Sequence, residues 1–211
     1  MEEVQMHKGI LYTIGHSKHE YSFFESMLKK YDISYLLDVR SVPFSRFAET
    51  YNRDNIKSLL AESGITYKQM GKYFGARPQD EALYTSEHFL DFEKVRGSKL
   101  FLEGVENVIL GLDKGNNVAL MCTEKDPLDC HRAIMVSKGF LDAGINVNHI
   151  LENGLLQTQL ELEQRMLKKY YPDRDQLTLF NYETGIDESE CIRNCYIKRN
   201  QEIGYHISEE E

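Results

Sequence analysis

Residues with reactive side chains are concentrated near the middle of this chain. Two thiols, a carboxylate, an imidazole and a guanidinium occur there within a short stretch: Cys122, Glu124, Cys130, His131 and Arg132. A thiolate can act as a nucleophile, an imidazole can transfer protons near neutral pH, and a guanidinium can hold a carboxylate or phosphate. These residue types and their spacing predict a site that acts on an anion.

The elements around this stretch explain why its side chains should converge. Val118–Met121 is a short apolar run typical of a buried strand, so Cys122 would end that strand. Asp126 is a predicted N-cap and Pro127 suits the first helical position, which predicts a helix over Pro127–Ala143. The second thiol and the His-Arg pair would lie in its first turns. Ligands bind at this edge of open α/β sheets.

Each of these side chains also has an ordinary structural interpretation. Cys122 could be a nucleophile activated by His16 or His131, or a small buried apolar side chain. Cys130 could pack against the sheet, or serve as a resolving thiol or ligand for Cys122. A basic pair at a helix start opposes the helix dipole, so His131 and Arg132 favour an anionic substrate. The alternative is that both pair with acidic neighbours, namely Glu124, Asp126 or Asp129.

Further polar residues follow the two strands predicted at 10–14 and 35–39. They are His16, Ser17, Asp38, Arg40 and Ser45. His16 could be a general acid or base, or could bond a loop carbonyl. Asp38 and Arg40 would face one side of their strand, either as a structural ion pair or as a carboxylate beside a phosphate-binding guanidinium.

Strands and helices alternate along most of the chain. Short apolar runs predict further strands at 65–67, 118–121 and 147–151, and periodic apolar residues predict helices between the strands. This alternation predicts an α/β fold, a three-layer sandwich with a mostly parallel central sheet and helices on both faces (Rossmann-like). We assign residues 8–180 to a single α/β domain and residues 181–211 to a C-terminal appendage, partly helical with an acidic end.

Three local features add to this prediction. Ser17 and Glu20 have the spacing of a capping box for the first helix. The apolar spacing over Leu155–Tyr170 predicts one continuous helix. A long loop, Met70–Leu83, carries Arg77, which we assign to substrate binding because loops of this length are often functional.

Composition limits the classes of function. The 211 residues are 41% hydrophobic with a formal charge of -9, which suits a globular protein and disfavours broad binding to a nucleic-acid backbone. Four dispersed cysteines favour a reducing cytosol, so we expect a cytoplasmic location. No apolar run approaches the roughly 20 residues of a transmembrane helix, so we expect no membrane partner. The N-terminal residues lack the features of a signal peptide.

Several established devices do not match. A zinc site of His16, Cys122, Cys130 and His131 is disfavoured because Cys-x7-Cys is not a finger or ribbon spacing, so no metal is predicted. In cysteine phosphatases and rhodaneses an arginine follows the nucleophile by six positions, and neither thiol has one there. No Gly-x-Gly-x-x-Gly and no Walker loop occurs, and the sequence identifies no cofactor and no oligomeric state.

Three motifs together carry a family resemblance. They are Thr13–Ser17, Asp38–Pro43 with Ser45, and the stretch from Met121 through Glu124 and Pro127 to Cys130–Arg132. Over Lys8–Phe180 the chain resembles the domain of unknown function 488 family of small, mostly bacterial proteins. That resemblance implies an α/β fold and leaves the reaction open. Relatives usually have Leu-Gly-Gly where this chain has Phe74-Gly75-Ala76.

The sequence therefore predicts an enzyme that acts on a small anionic substrate, phosphorylated or nucleotide-like. The catalytic candidates are Cys122, His16, His131, Asp38 and Glu124, and the substrate-binding candidates are Ser17, Arg40, Ser45, Cys130, Arg132 and Arg77. The alternative is a non-catalytic ligand-binding or sensor module. A nucleic-acid-processing enzyme is a weaker alternative, based on lysines, arginine and tyrosines of residues 67–77.

Overall fold

A six-stranded sheet forms the centre of the part of the chain that the computed structural model describes, residues 7–172 and 187–207. The strand order is β3-β2-β4-β1-β5-β6, and all neighbours are parallel except β5 and β6. The bounds are β1 Leu11–Gly15, β2 Tyr35–Asp38, β3 Thr66–Gln69, β4 Val118–Cys122, β5 Val147–Ile150 and β6 Leu156–Thr158. The predicted mostly parallel sheet is confirmed.

Helices connect the strands, and a last helix follows them. Their bounds are α1 Tyr21–Lys30, α2 Arg53–Glu62, α3 Gly71–Phe74, α4 Phe92–Gly97, α5 Lys99–Asp113, α6 Lys138–Asp142, α7 Gln159–Tyr170 and α8 Glu188–Ile203. A π-helical segment, Arg132–Ser137, leads directly into α6. Short 3-10 turns lie at 49–51, 81–83 and 127–129.

The helices cover both faces of the sheet. Phe24 and Leu28 of α1 and Ile56 and Leu60 of α2 pack with Leu36 in the core of one face. The core of the opposite face contains buried side chains from α3 to α8. The three-layer α/β architecture is therefore confirmed. It forms because apolar side chains of buried parallel strands point alternately to both faces of the sheet.

Parallel register brings three strand ends to one edge. Gly15 at the end of β1 is opposite Cys122 at the end of β4, and Asp38 at the end of β2 is opposite Met121. Backbone bonds continue beyond the sheet, because the amides of His16 and Ser17 donate to the carbonyls of residues 122 and 123. The predicted site residues after these strands thus meet at the same edge.

The predicted helix over Pro127–Ala143 was wrong at its start, residues 127–130. Asp126 does accept from the Leu128 amide as an N-cap, but only a 3-10 turn follows. Cys130 is extended, with φ -134° and ψ 138°, and the π-helical segment begins after it. Cys130 therefore lies in a break between two helical pieces and not on a helix.

Two other local predictions were also wrong. Helix α1 begins at Tyr21 without a side-chain cap, and Ser17 has a left-handed φ of 46°. Leu156–Thr158 forms the antiparallel edge strand instead of the first turn of a helix. Helix α7 starts only after Thr158, whose hydroxyl forms a capping box with Glu161.

The C-terminal helix packs on the main core. Cys191, Cys195 and Tyr196 of α8 are buried in the same cluster as the helices beside it. The predicted boundary at residues 180 and 181 lies outside the described residues, as does the acidic end. None of the helices within 7–172 and 187–207 is long and apolar enough to cross a membrane.

Substitution of Gly15 by alanine tests the close approach between β1 and the loop after β4. A Cβ at Gly15 would lie 1.8 Å from the Glu124 carbonyl oxygen, so we expect Gly15→Ala to lower the free energy of unfolding by about 1–3 kcal/mol. In helix α5, a Cβ at Gly111 would have nothing within 4 Å, so Gly111→Ala should instead stabilise by about 0.5–1 kcal/mol. Urea unfolding measures both, and equal midpoints for the two variants would contradict the close approach.

Candidate functional site

Two thiols, a carboxylate and an imidazole meet at this edge of the sheet. The Oε2 atom of Glu124 lies 3.2 Å from the sulfur of Cys122 and 2.9 Å from the sulfur of Cys130. The Nδ1 atom of His131 lies 3.8 and 4.0 Å from the same two sulfurs. Both cysteines are buried and free. We call these four residues the thiol cluster, and they include three predicted catalytic residues.

Arg132 holds the loop that carries the cluster. Its side chain is fully buried, and its guanidinium donates to the carbonyls of Glu124 and Lys125, while Nε lies 3.4 Å from the Thr13 hydroxyl. These acceptors belong to the protein, and the guanidinium lies below the surface. The predicted contact of Arg132 with substrate stays a prediction, whereas its contact with the loop is observed.

Two aspartates of this loop pair with arginines other than Arg132. Asp126 forms an ion pair with Arg165 of α7 at 2.6 Å, and Asp129 pairs with Arg199 of α8. The Nε atom of Arg199 also donates to the Leu128 carbonyl at 2.9 Å. The loop is thus fixed from two further helices, and these two aspartates are engaged away from the His-Arg pair.

The ring of His131 is oriented by the neighbouring strand. Its Nε2 atom lies 3.3 Å from the carbonyl oxygen of Val39, which can only accept a hydrogen bond. The proton therefore belongs on Nε2, and Nδ1 faces the two sulfurs. His131 is therefore placed to exchange a proton with the thiols.

The electrostatics of the cluster favour one shared negative charge. A hydrogen bond to Cys130, together with burial, raises the pKa of Cys122 well above its usual value. Burial opposes ionisation of Cys130, but the hydrogen bond with the Cys122 thiol, the Arg132 charge and the contact with His131 lower the pKa of Cys130 overall. Burial and Cys130 raise the pKa of Glu124. Despite the opposing effect of burial, the hydrogen bond to Cys130 raises the pKa of His131.

Asp38 and Arg40 form a second polar group beside the cluster. Arg40 Nε donates to Asp38 at 2.8 Å, and a second guanidinium nitrogen pairs with the other carboxylate oxygen. Tyr67 donates to the same carboxylate at 2.8 Å, and Arg40 also donates to the carbonyl of Tyr51. The structural ion pair considered from sequence is therefore present. Sequence reasoning did not assign Tyr51 or Tyr67 to this group, because their contacts depend on tertiary structure.

His16 belongs to this second group. Its Nε2 atom lies 3.1 Å from Arg40, its Nδ1 atom lies 2.8 Å from the Ser17 carbonyl, and its ring stacks on Tyr51. Burial and the Arg40 charge lower the pKa of His16 to about 4, so the ring is neutral at pH 7. Of the two histidines proposed to activate Cys122, the structure brings His131 to its sulfur.

A cleft of about 390 Å³ opens above the thiol cluster. Its lining includes Cys122, Glu124 and His131 from the cluster, with Arg40 and Arg77 at its sides. The remaining lining residues are Ser41, Val42, Phe44, Ala76, Thr123, Asp129, Ile203 and Tyr205. The cleft therefore joins one face of the cluster to solvent and places two arginines beside it.

The other predicted site residues do not line this cleft. Ser45 accepts a hydrogen bond from the Phe47 amide in its own loop. Ser17 follows β1, and Cys130 lies behind the lining, bonded to Glu124. Ala76, where relatives usually have glycine, does line the cleft, and its backbone does not have the left-handed φ that would require glycine. Ile203 at the end of α8 and Tyr205 just after it were missed, because no sequence pattern relates them to the cleft.

A buried chain of hydrogen bonds runs from Arg132 across the core. Thr13 contacts Nδ1 of His149 at 2.8 Å, and Nε2 of His149 contacts Gln159 at 2.7 Å. Gln159 bonds Tyr196 at 2.7 Å, and Tyr196 donates to the Glu163 carboxylate at 2.9 Å. Because Gln159 uses its amide protons elsewhere, its oxygen must accept from His149. This series of hydrogen bonds therefore connects the site to α7 and α8.

Comparison with known proteins identifies the family. The family model described as domain of unknown function DUF488 matches residues 21–138, more than half of the chain. The chain belongs to this family. No curated protein and no solved structure matches it.

The neutral His149 makes stability depend on pH. Burial and the Arg132 charge lower the pKa of His149 to about 3, while an unfolded histidine titrates near 6.5. Below about pH 6.5 the unfolded chain binds a proton that the native state does not. The free energy of unfolding therefore decreases as the pH decreases, by up to about 1.4 kcal/mol per pH unit. In chemical-unfolding curves from pH 7 to 4.5, we expect His149→Gln to show a shallower fall than wild type. Equal slopes would contradict the assignment.

Proposed function

We propose that this protein is an enzyme that acts on a small anionic substrate in the cleft, with Cys122 as the reactive group. One observation carries the proposal. Cys122 lines the cleft while its sulfur lies 3.2 Å from Glu124 and 3.8 Å from His131. A nucleophile within reach of two proton carriers, in a cleft with cationic walls, is the arrangement that thiol catalysis needs.

The lining favours a substrate with both charge and an apolar or aromatic part. Arg77 is exposed at the cleft, and its guanidinium lies 4.5 Å from the centre of the Tyr205 ring. Phe44, which is 65% exposed, lies on the same cleft. A volume of about 390 Å³ suits a small molecule. Arg77 would hold a phosphate or carboxylate, and the rings would contact a base, which supports a nucleotide-like substrate.

The roles within the cluster follow from its contacts. His131 takes the proton of Cys122 through Nδ1, since Nε2 is engaged with Val39. Glu124 accepts a hydrogen bond from the Cys122 thiol and orients its sulfur, and His131 then returns the proton it took to the leaving group. Arg40, held by Asp38, supplies positive charge beside the reacting sulfur without moving.

A ligand-binding or sensor module is the second candidate. Burial of both sulfurs and the raised pKa of Cys122 favour a thiol of low reactivity. In such a module the cleft binds the same class of ligand and releases it unchanged. Consumption of ligand therefore separates the two functions.

The substrate class is tested by a thermal-shift screen of nucleotides and phosphorylated small molecules, followed by calorimetry and product analysis. We expect Arg77→Ala to weaken binding of a hit about 10- to 100-fold, because a hydrogen-bonded charge contact is lost. Arg53→Ala removes an arginine of α2 that does not line the cleft and should bind as wild type does. Cys122→Ser should bind the hit and leave it unconverted. Equal binding by both arginine variants, or wild-type turnover by Cys122→Ser, would overturn the assignment.

Thiol reactivity gives an independent test on reduced protein prepared with a chelator. We expect iodoacetamide to modify Cys122 before Cys191 and Cys195, which are buried in α8. The Glu124 charge helps raise the pKa of Cys122, so Glu124→Gln should increase the alkylation rate of Cys122 at pH 7. Peptide mass spectrometry measures each rate. A slower rate in Glu124→Gln would show that the carboxylate activates the thiol instead.

A further inference from the structure

We propose that Cys122, Cys130 and His131 form a binding site for a thiophilic divalent cation such as Zn²⁺. Their two sulfurs and one imidazole nitrogen all lie within 4.8 Å of one another in the described part of the chain. This set is the soft donor set that zinc selects. The inference goes beyond the proposed reaction and rests on the geometry of the cluster, independently of the substrate.

The distances from His131 to the two sulfurs are close to those expected on one tetrahedral ion. With Zn–S bonds of about 2.3 Å and Zn–N bonds of about 2.0 Å, a sulfur and a nitrogen on one tetrahedral ion are about 3.5 Å apart. The observed distances from His131 Nδ1 are 3.8 Å to Cys122 and 4.0 Å to Cys130. Two sulfurs on the same ion would be about 3.8 Å apart. Cys122 and Cys130 bring theirs within 4.8 Å, so shifts of up to about 1 Å would place all three donors on one ion.

Groups around the donors already hold them in the required state. The Val39 carbonyl accepts from Nε2 of His131, which leaves the Nδ1 lone pair directed at the sulfurs. The backbone amide of Arg132 donates to the Cys130 sulfur at 3.4 Å, a contact that favours thiolate. Outer contacts of this kind orient metal ligands in proteins and tune their basicity.

The fourth position of such an ion would face the cleft. Cys122 and His131 line the cleft, and the Oε2 atom of Glu124 lies within 3.2 Å of both sulfurs. Glu124 is thus placed either to bind the ion or to hold a water molecule on it. Three protein donors with an open side are the pattern of a reactive, accessible zinc site, whereas closed sites have four.

Cation binding and nucleophilic attack would use the same sulfur. In the loaded protein Cys122 is a ligand and is protected from alkylation, while in the chelator-treated protein it is a free thiol. The two proposals are therefore distinguishable. If no cation binds, the metal-site proposal is wrong and the thiol-enzyme proposal is unaffected. If a cation binds but no ligand binds in the cleft, the metal-site proposal holds and the thiol-enzyme proposal is wrong.

The test uses the full chain, reduced and chelator-treated, and titrated with Co²⁺ as an optical probe. We expect one ion per chain by elemental analysis and a thiolate-to-cobalt charge-transfer band. Cys122→Ser, Cys130→Ser and His131→Ala should each weaken binding at least about 10- to 100-fold. Cys191→Ala, a matched control that removes a buried thiol outside the cluster, should retain the band. Circular dichroism checks that each variant is folded.

A second measurement needs no variant. In wild-type protein we expect Zn²⁺ to slow alkylation of Cys122 and Cys130 at least about tenfold while leaving the cysteines of α8 unaffected in the folded state. Absence of the cobalt band in reduced protein, wild-type affinity in folded Cys130→Ser, or alkylation unchanged by Zn²⁺ would each overturn the proposal. Recovery of a Cys122–Cys130 disulfide as the only stable form of the pair would overturn it as well.

Discussion

The buried guanidinium of Arg132 is the constraint on which the candidate site depends. A cation removed from water requires hydrogen-bond acceptors, and here the acceptors are loop carbonyls of Glu124 and Lys125 and the Thr13 hydroxyl. Meeting that requirement fixes the loop between the two thiols. Cys122 ends a strand and Cys130 is extended, yet both sulfurs reach the same carboxylate because the loop is held in this way.

The same charge influences titratable groups on both sides of it. It contributes to lowering the pKa of Cys130, which favours a thiolate, and to lowering the pKa of His149 and His16. One buried cation therefore favours a negative charge in the thiol cluster and neutral histidines in its surroundings. His131 shares the cluster with Cys130 and keeps its proton more strongly, because the thiolate offsets the effect of burial.

Local sequence patterns predicted the parts of this fold that local patterns determine. Buried parallel strands are continuous apolar runs, so the strands and the edge where they end could be located, and with them Cys122, Glu124 and His131. The break at Cys130 could not be predicted, because helical spacing continues through it. In the structure the Arg132 side chain bonds back to two carbonyls of the loop, and Cys130 is extended between the 3-10 turn and the π-helical segment. The edge strand at 156–158 was missed for a related reason, since its pairing with β5 depends on tertiary structure.

The site residues likewise depend on tertiary contacts that local sequence patterns do not show. The spacing Cys-x7-Cys-His matches neither the zinc-finger and ribbon patterns nor the phosphatase loop. In the folded chain the intervening residues form a loop fixed by Arg132, Arg165 and Arg199, so that sequence separation no longer sets the distance between sulfurs. The donor set thus depends on three guanidinium groups whose hydrogen bonds described above go to loop carbonyls and aspartates. Their positions, more than the cysteine spacing, decide whether the cluster can hold an ion or present a nucleophile.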